Sequence, residues 1–128
     1  ASNIAFGIEK GKIDYKKLNT AILQANLLDF VNKLPNGLNT TVGERGLRIS
    51  GGQRQRIGIA RALYREPNFL VFDEATSNLD YKTENVILET INNLSKTKTI
   101  IIIAHRQSTL VFCKSIYRIE NGTLIKEI

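Results

Sequence analysis

Phe69-Leu70-Val71-Phe72-Asp73-Glu74 is a wholly apolar run that ends in two adjacent carboxylates. It shows no polar alternation, so it predicts a strand buried on both faces, as in a parallel α/β sheet. A second run of the same kind, Thr99 to Ala104, is rich in β-branched isoleucine and is followed by His105. Between them, Asp80 can cap a helix carrying Ile87, Ile91 and Leu94. Strand, helix, strand in this order predicts a crossover unit with both strands parallel.

Upstream, Ser50 and Gln53 stand in capping-box spacing and open a helix that runs to about Arg65, where Pro67 forbids continuation. Its apolar stripe is Ile57, Ala60, Leu63 and Tyr64, with Arg54, Arg61 and Arg65 on the other faces. Before it, Asp14 can cap a helix bearing Leu18, Ala21, Ile22 and Ala25. A second apolar set, Leu27, Phe30, Val31 and Leu34, makes this one bent helix or two short ones, stopped at Pro35-Asn36-Gly37. Residues 39–48 read as loop with Gly43 and Gly46 as hinges, and Asn121-Gly122 predicts a closing hairpin.

The 128 residues are enough for one domain with a modest core. No apolar run is long enough to span a bilayer, and no signal-peptide pattern stands at the N-terminus. Cys113 is the only cysteine, so no internal disulfide is available, which suits a reducing cytosol. The net charge is +6, but the basic residues are scattered without interleaved aromatics, so no nucleic-acid partner is expected.

Chemistry concentrates at three places. Asp73 and Glu74 end a buried strand, where open α/β sheets place ligands. Asp73 could serve a Mg²⁺ shell and Glu74 could deprotonate a water; the plain alternative is a solvated strand-to-loop junction. Ser50, Gly51 and Gly52 open a helix, where free N–H groups and the dipole favour a phosphate; the alternative is an ordinary cap. His105, the only histidine, leaves the second strand at the same sheet edge as Asp73. No G-x-x-x-x-G-K-[ST] phosphate loop occurs in the sequence.

Ile49-Ser50-Gly51-Gly52-Gln53, then an apolar strand with Asp73-Glu74, then Ser77-Asn78-Leu79-Asp80, then a strand with His105, resembles the nucleotide-binding domain of ABC transporters. Ile49 for leucine and Asn78 for a small residue are mild departures. The resemblance covers essentially the whole chain and implies an α/β fold, a partial P-loop NTPase (RecA-like) core with a helical signature subdomain and an incomplete parallel sheet. Residues 1–66 would be the signature subdomain and 67–128 the C-terminal part of the ATPase core.

The resemblance further implies ATP and Mg²⁺ as cofactors. Ser50, Gly51, Gly52 and Gln53 would contact ATP held by a second nucleotide-binding domain, and Asp80 would cross that dimer interface. Asp73 would serve Mg²⁺ through water, Glu74 would be the catalytic base, and His105 would touch the γ-phosphate. The stretch from Thr41 to Gly46 looks like the loop by which exporter-type domains press on coupling helices of the membrane domain, through Glu44 and Arg45. This would put the domain at the cytoplasmic face of the cell membrane. The phosphate loop would precede residue 1, leaving the polypeptide weak or inactive alone and the edge from Thr99 to Ala104 open to self-association. The alternatives are an ABC-type ATPase acting on DNA or ribosomes, and a non-catalytic dimerisation remnant.

Overall fold

The computed structural model describes residues 1–43, 47–77 and 79–128. Glu44 and Arg45, the hinge at Gly46, and Asn78 lie outside the described residues. The first helix, α1 (Tyr15–Gln24), starts where Asp14 Oδ1 accepts the N–H groups of Lys16 and Lys17 at 2.9 and 3.1 Å. Leu18, Ala21 and Ile22 form its buried face. Asn26 then takes a left-handed φ of 54°, which breaks the chain direction, so the two-helix alternative holds and α2 (Leu28–Asn32) is separate.

The long helix α3 (Gly51–Tyr64) packs on α1, and the Tyr64 hydroxyl accepts the Asp14 N–H at 2.9 Å. All four residues of its expected stripe are buried. The arginines of this helix are staples. Arg56 donates to Asn26 O at 2.8 Å, Arg61 to Asn3 O at 2.8 Å and Arg65 to Phe6 O at 3.2 Å. Arg61 also lies over the Phe6 ring, 5.1 Å from its centre. Much of the positive charge on this helix is thus used to pin the N-terminal segment.

β1 (Phe69–Asp73) and β2 (Thr99–Ile103) pair in parallel, joined through α4 (Tyr81–Ser95). Leu70 and Phe72 point into the core, but Phe69 and Val71 are 50% and 53% exposed. The expectation that both strands are buried on both faces is therefore wrong for this polypeptide. The reason is a missing layer. Parallel sheets are apolar throughout because elements cover both faces, and among the described residues the face carrying Phe69, Val71, Ile101 and Ile103 stays open. Among the described residues β2 pairs only with β1, so its other edge is unpaired.

β3 (Tyr117–Glu120) and β4 (Thr123–Lys126) form the expected antiparallel hairpin. Asn121 and Gly122 both have positive φ, 49° and 77°, as a primed two-residue turn demands. Apolar residues from both sides of residue 66, from Ile4 to Leu94, share one core cluster.

Candidate functional site at the sheet edge

Because β1 and β2 are parallel, their C-terminal ends emerge together, with Asp73 paired to Ile103. The residues that follow are forced into proximity. Glu74 adopts a left-handed φ of 47° and donates its N–H to Ile103 O at 2.9 Å. A left-handed residue other than glycine is strained by about 1–2 kcal/mol. Such strain persists where surrounding structure imposes it, and it gathers at functional positions. The turn sets the Glu74 carboxylate 2.9 Å from His105 Nε2. Both side chains are accessible, at 47% for Glu74 and 87% for His105. Asp73 is exposed beside them. Among the described residues no group of three His, Cys, Asp or Glu side chains is placed to hold a metal ion by itself. With Glu74 turned to His105, Asp73 offers this edge one carboxylate, and that fits a hydrated Mg²⁺ that takes its other ligands from water and phosphate oxygens.

After Glu74 the chain turns tightly, with Ser77 N–H donating to Glu74 O at 2.9 Å. Asp80 then caps α4 by accepting the Thr83 N–H at 3.0 Å. The hydrogen bonds from Thr83, side chain first and backbone second, hold the Asp80 carboxyl below the usual carboxylate range.

The start of α3 is a complete capping box. Ser50 Oγ accepts the Gln53 N–H at 3.2 Å and Gln53 Oε1 accepts the Ser50 N–H at 2.8 Å. Among the described residues the Ser50 hydroxyl proton, the Gln53 amide NH₂ and the N–H of the exposed Gly51 have no hydrogen-bond acceptor, since the first intrahelical bond runs from Arg54 N to Ser50 O, whereas Gly52 is buried. The glycines also have a packing reason that the sequence did not disclose. A Cβ on Gly52 would sit 2.2 Å from Thr83 Cγ2, and one on Gly51 would sit 3.4 Å from Leu79 Cδ2. The start of α3 therefore presses directly on the start of α4, bringing Ser50–Gln53 beside Asp80. Gly52→Ala is expected to destabilise the fold by about 1–3 kcal/mol through overpacking, despite alanine's better helix propensity. Thr83→Ser, which removes the offending methyl, is expected to suppress the loss in denaturant titrations; an unsuppressed loss would refute the contact.

The expected site residues thus fall into two groups. Asp73, Glu74 and His105 gather at the sheet edge; Ser50 to Gln53 and Asp80 gather at two abutting helix N-termini. No hydrogen bond or ion pair joins the two groups among the described residues. Sequence reading missed two links behind the edge. Arg106 Nη1 donates to Glu84 Oε2 at 3.0 Å, and the buried Thr76 and Thr109 hydroxyls lie 3.4 Å apart. Glu84 carried a signal: it lies on the same helical stripe as Ile87, Ile91 and Leu94, an odd place for a carboxylate. A cavity of about 40 Å³ among Leu27, Phe30, Val31, Leu34, Leu38 and Ile57 lies away from Glu74 and His105 and is far too small for a nucleotide.

This arrangement has relatives. The ABC transporter family model matches residues 7–77. ABC transporter B family member 6 of Dictyostelium discoideum is 44% identical over 126 residues, covering 98% of this chain and 18% of that protein. The ATP-dependent lipid A-core flippase of Pseudoalteromonas translucida is 46% identical over 126 residues, 98% of this chain and 22% of the flippase. Multidrug resistance protein pgp-1 of Caenorhabditis elegans is 42% identical over 127 residues, 99% of this chain and 10% of the relative. The solved structure of a bacterial Atm1-family ABC exporter with ATP bound superposes with a TM-score of 0.76 at 42% identity, over 94% of this chain and 21% of that one. The chain thus spans between a tenth and about a fifth of the length of these relatives. The fold is that of part of an ABC nucleotide-binding domain, a P-loop NTPase fold. With its motifs in order and its strand ends converging on Asp73, Glu74 and His105, the chain belongs to the ABC transporter family.

Proposed function

We propose that this chain is the C-terminal part of the nucleotide-binding domain of an ABC exporter, hydrolysing ATP in a head-to-tail dimer to drive transmembrane export. One observation supports this above the rest: parallel strand ends bring His105 Nε2 to 2.9 Å from the Glu74 carboxylate, next to Asp73. Glu74 accepts the proton of the water that attacks the γ-phosphoryl group. His105 orients that carboxylate and reaches the γ-phosphate. Asp73 would hold Mg²⁺ through water, and the ion would supply positive charge against that of the phosphate groups. The Ser50 hydroxyl, the Gly51 and Gly52 N–H groups and the Gln53 amide bind ATP on the second nucleotide-binding domain, and Asp80 crosses the same interface. That no hydrogen bond or ion pair joins the two groups directly among the described residues fits a site completed by a partner.

In this reading residues 1–66 form the signature subdomain and 67–128 the core. Glu44 and Arg45, outside the described residues, meet the coupling helices of a transmembrane domain. No helix among the described residues is long and apolar enough to cross a membrane. The relatives' names, a flippase and a multidrug resistance protein, support a membrane-associated transporter, and this reading puts the domain at the cytoplasmic face of the cell membrane. No nucleic-acid partner enters this reading.

His105→Ala in the full-length protein is expected to lower kcat for ATP by about 100-fold. Phosphate-release assays showing wild-type turnover would refute the role. The 128-residue polypeptide itself, with the edge of β2 unpaired, is expected to self-associate. Sedimentation as a stable monomer, with the amides of β2 protected from exchange, would count against it.

A further inference from the structure

We propose that Arg106 and Glu84 are a positioning pair that holds His105 in register with Glu74; this rests on the reading of His105 given above. The imidazole side chain is 87% exposed, and Glu74 is the only carboxylate in contact with it among the described residues. β2 ends at Ile103, so the segment through Ala104 and His105 leaves the ladder before the short 3₁₀ helix Gln107–Leu110 begins. Something other than sheet hydrogen bonds must set where His105 stands.

The neighbouring residue supplies it. Arg106 Nη1 donates to Glu84 Oε2 at 3.0 Å. Glu84 is only 5% exposed, on the face of α4 that also buries Ile87, Ile91 and Leu94. Its Oε1 is buried with no hydrogen-bond partner among the described residues. A buried carboxylate with one idle oxygen is a poor way to fill space, since an apolar residue of similar volume avoids the desolvation cost. The carboxylate makes sense as an anchor for one cation, and that cation is covalently next to His105.

The anchor is also rigid. Glu84 donates its N–H to Asp80 O at 2.8 Å, in the first turn of α4, and Thr83 of that turn is bonded to the Asp80 carboxylate. One helical turn therefore fixes both the Asp80 cap and, through Arg106, the His105 segment. The contact between Thr76 and Thr109 adds a second tie, joining the turn after Glu74 to the 3₁₀ helix after His105. The segment that follows His105 is thus tied both to α4 and to the turn after Glu74, and Arg106–Glu84 is the charged tie.

The test is steady-state ATP turnover of the full-length protein carrying Glu84→Gln, Arg106→Gln or Arg106→Lys, each alone and with His105→Ala. Glu84→Gln preserves shape, so it reports even where the arginine variants fold poorly. Glu84→Gln and Arg106→Gln are expected to lower kcat by on the order of tenfold, below the roughly 10²-fold that a 1 Å misplacement of a reacting group can cost. KM for ATP is expected to move by less than about twofold, and Arg106→Lys should recover part of kcat by keeping the charge. With His105→Ala present, none of the three should cause a further loss, because they act through the imidazole. Losses that multiply with that of His105→Ala, or unchanged kcat in Glu84→Gln, would overturn the pair's role alone. Wild-type turnover in His105→Ala itself would overturn the reading of His105, and the pair's role with it.

Discussion

Glu74→Gln in the full-length protein is expected to reduce ATP hydrolysis by about 10²–10⁴-fold, the usual range for removing a general base, while ATP binding persists. Glutamine is nearly isosteric, so it can keep the left-handed backbone and the N–H bond to Ile103. What it loses is the ability to accept a proton. The 2.9 Å approach to His105 would survive as a neutral contact. If binding is intact and chemistry is not, the proposed head-to-tail dimer is expected to accumulate in its ATP-bound form. Filter binding together with phosphate release separates the two. Equal loss of binding and turnover would mean that Glu74 shapes the site and is not its base.

The second large effect concerns the 128-residue polypeptide alone. It contains no G-x-x-x-x-G-K-[ST] segment. In P-loop enzymes the amides and lysine of that segment cradle the β- and γ-phosphates. Charge-assisted hydrogen bonds contribute roughly 1.5–3 kcal/mol each. Lacking even two or three weakens binding by on the order of 4 kcal/mol, about a thousandfold in affinity. What remains for a phosphate are the exposed Ser50–Gly51 start of α3 and the exposed sheet edge, with Glu74 and His105 open to water. Calorimetry with Mg-ATP is expected to show millimolar or unmeasurable binding and no turnover. Micromolar affinity would mean that the described groups suffice for the nucleotide.

Much of this was legible because it is local chemistry. The capping box at Ser50, the Asp80 cap, the stop before Pro67 and the Asn121-Gly122 turn each depend on residues within a few positions of one another. Parallel pairing, and with it the meeting of Glu74 and His105, followed from two apolar runs separated by one helix. Burial of the strands was misjudged because it depends on layers. The alternation hidden in Phe69 to Phe72 emerges only when one face lacks a cover. The glycines carry a second role that was hidden. They read as room for a phosphate, and Gly52 is also required by Thr83, a contact between residues 31 positions apart that no local pattern reports. The Arg106–Glu84 pair was hidden for the same reason, although the position of Glu84 on an apolar stripe was visible.

The most direct test of the account is a structure of the full-length Glu74→Gln protein with Mg-ATP. The account predicts that residue 74, His105 and Asp73 of one copy surround the γ-phosphate, with Ser50 to Gln53 of the second copy closing over the same nucleotide. A γ-phosphate bound away from His105 and Asp73, or one closed over by Ser50 to Gln53 of the same copy, would contradict it.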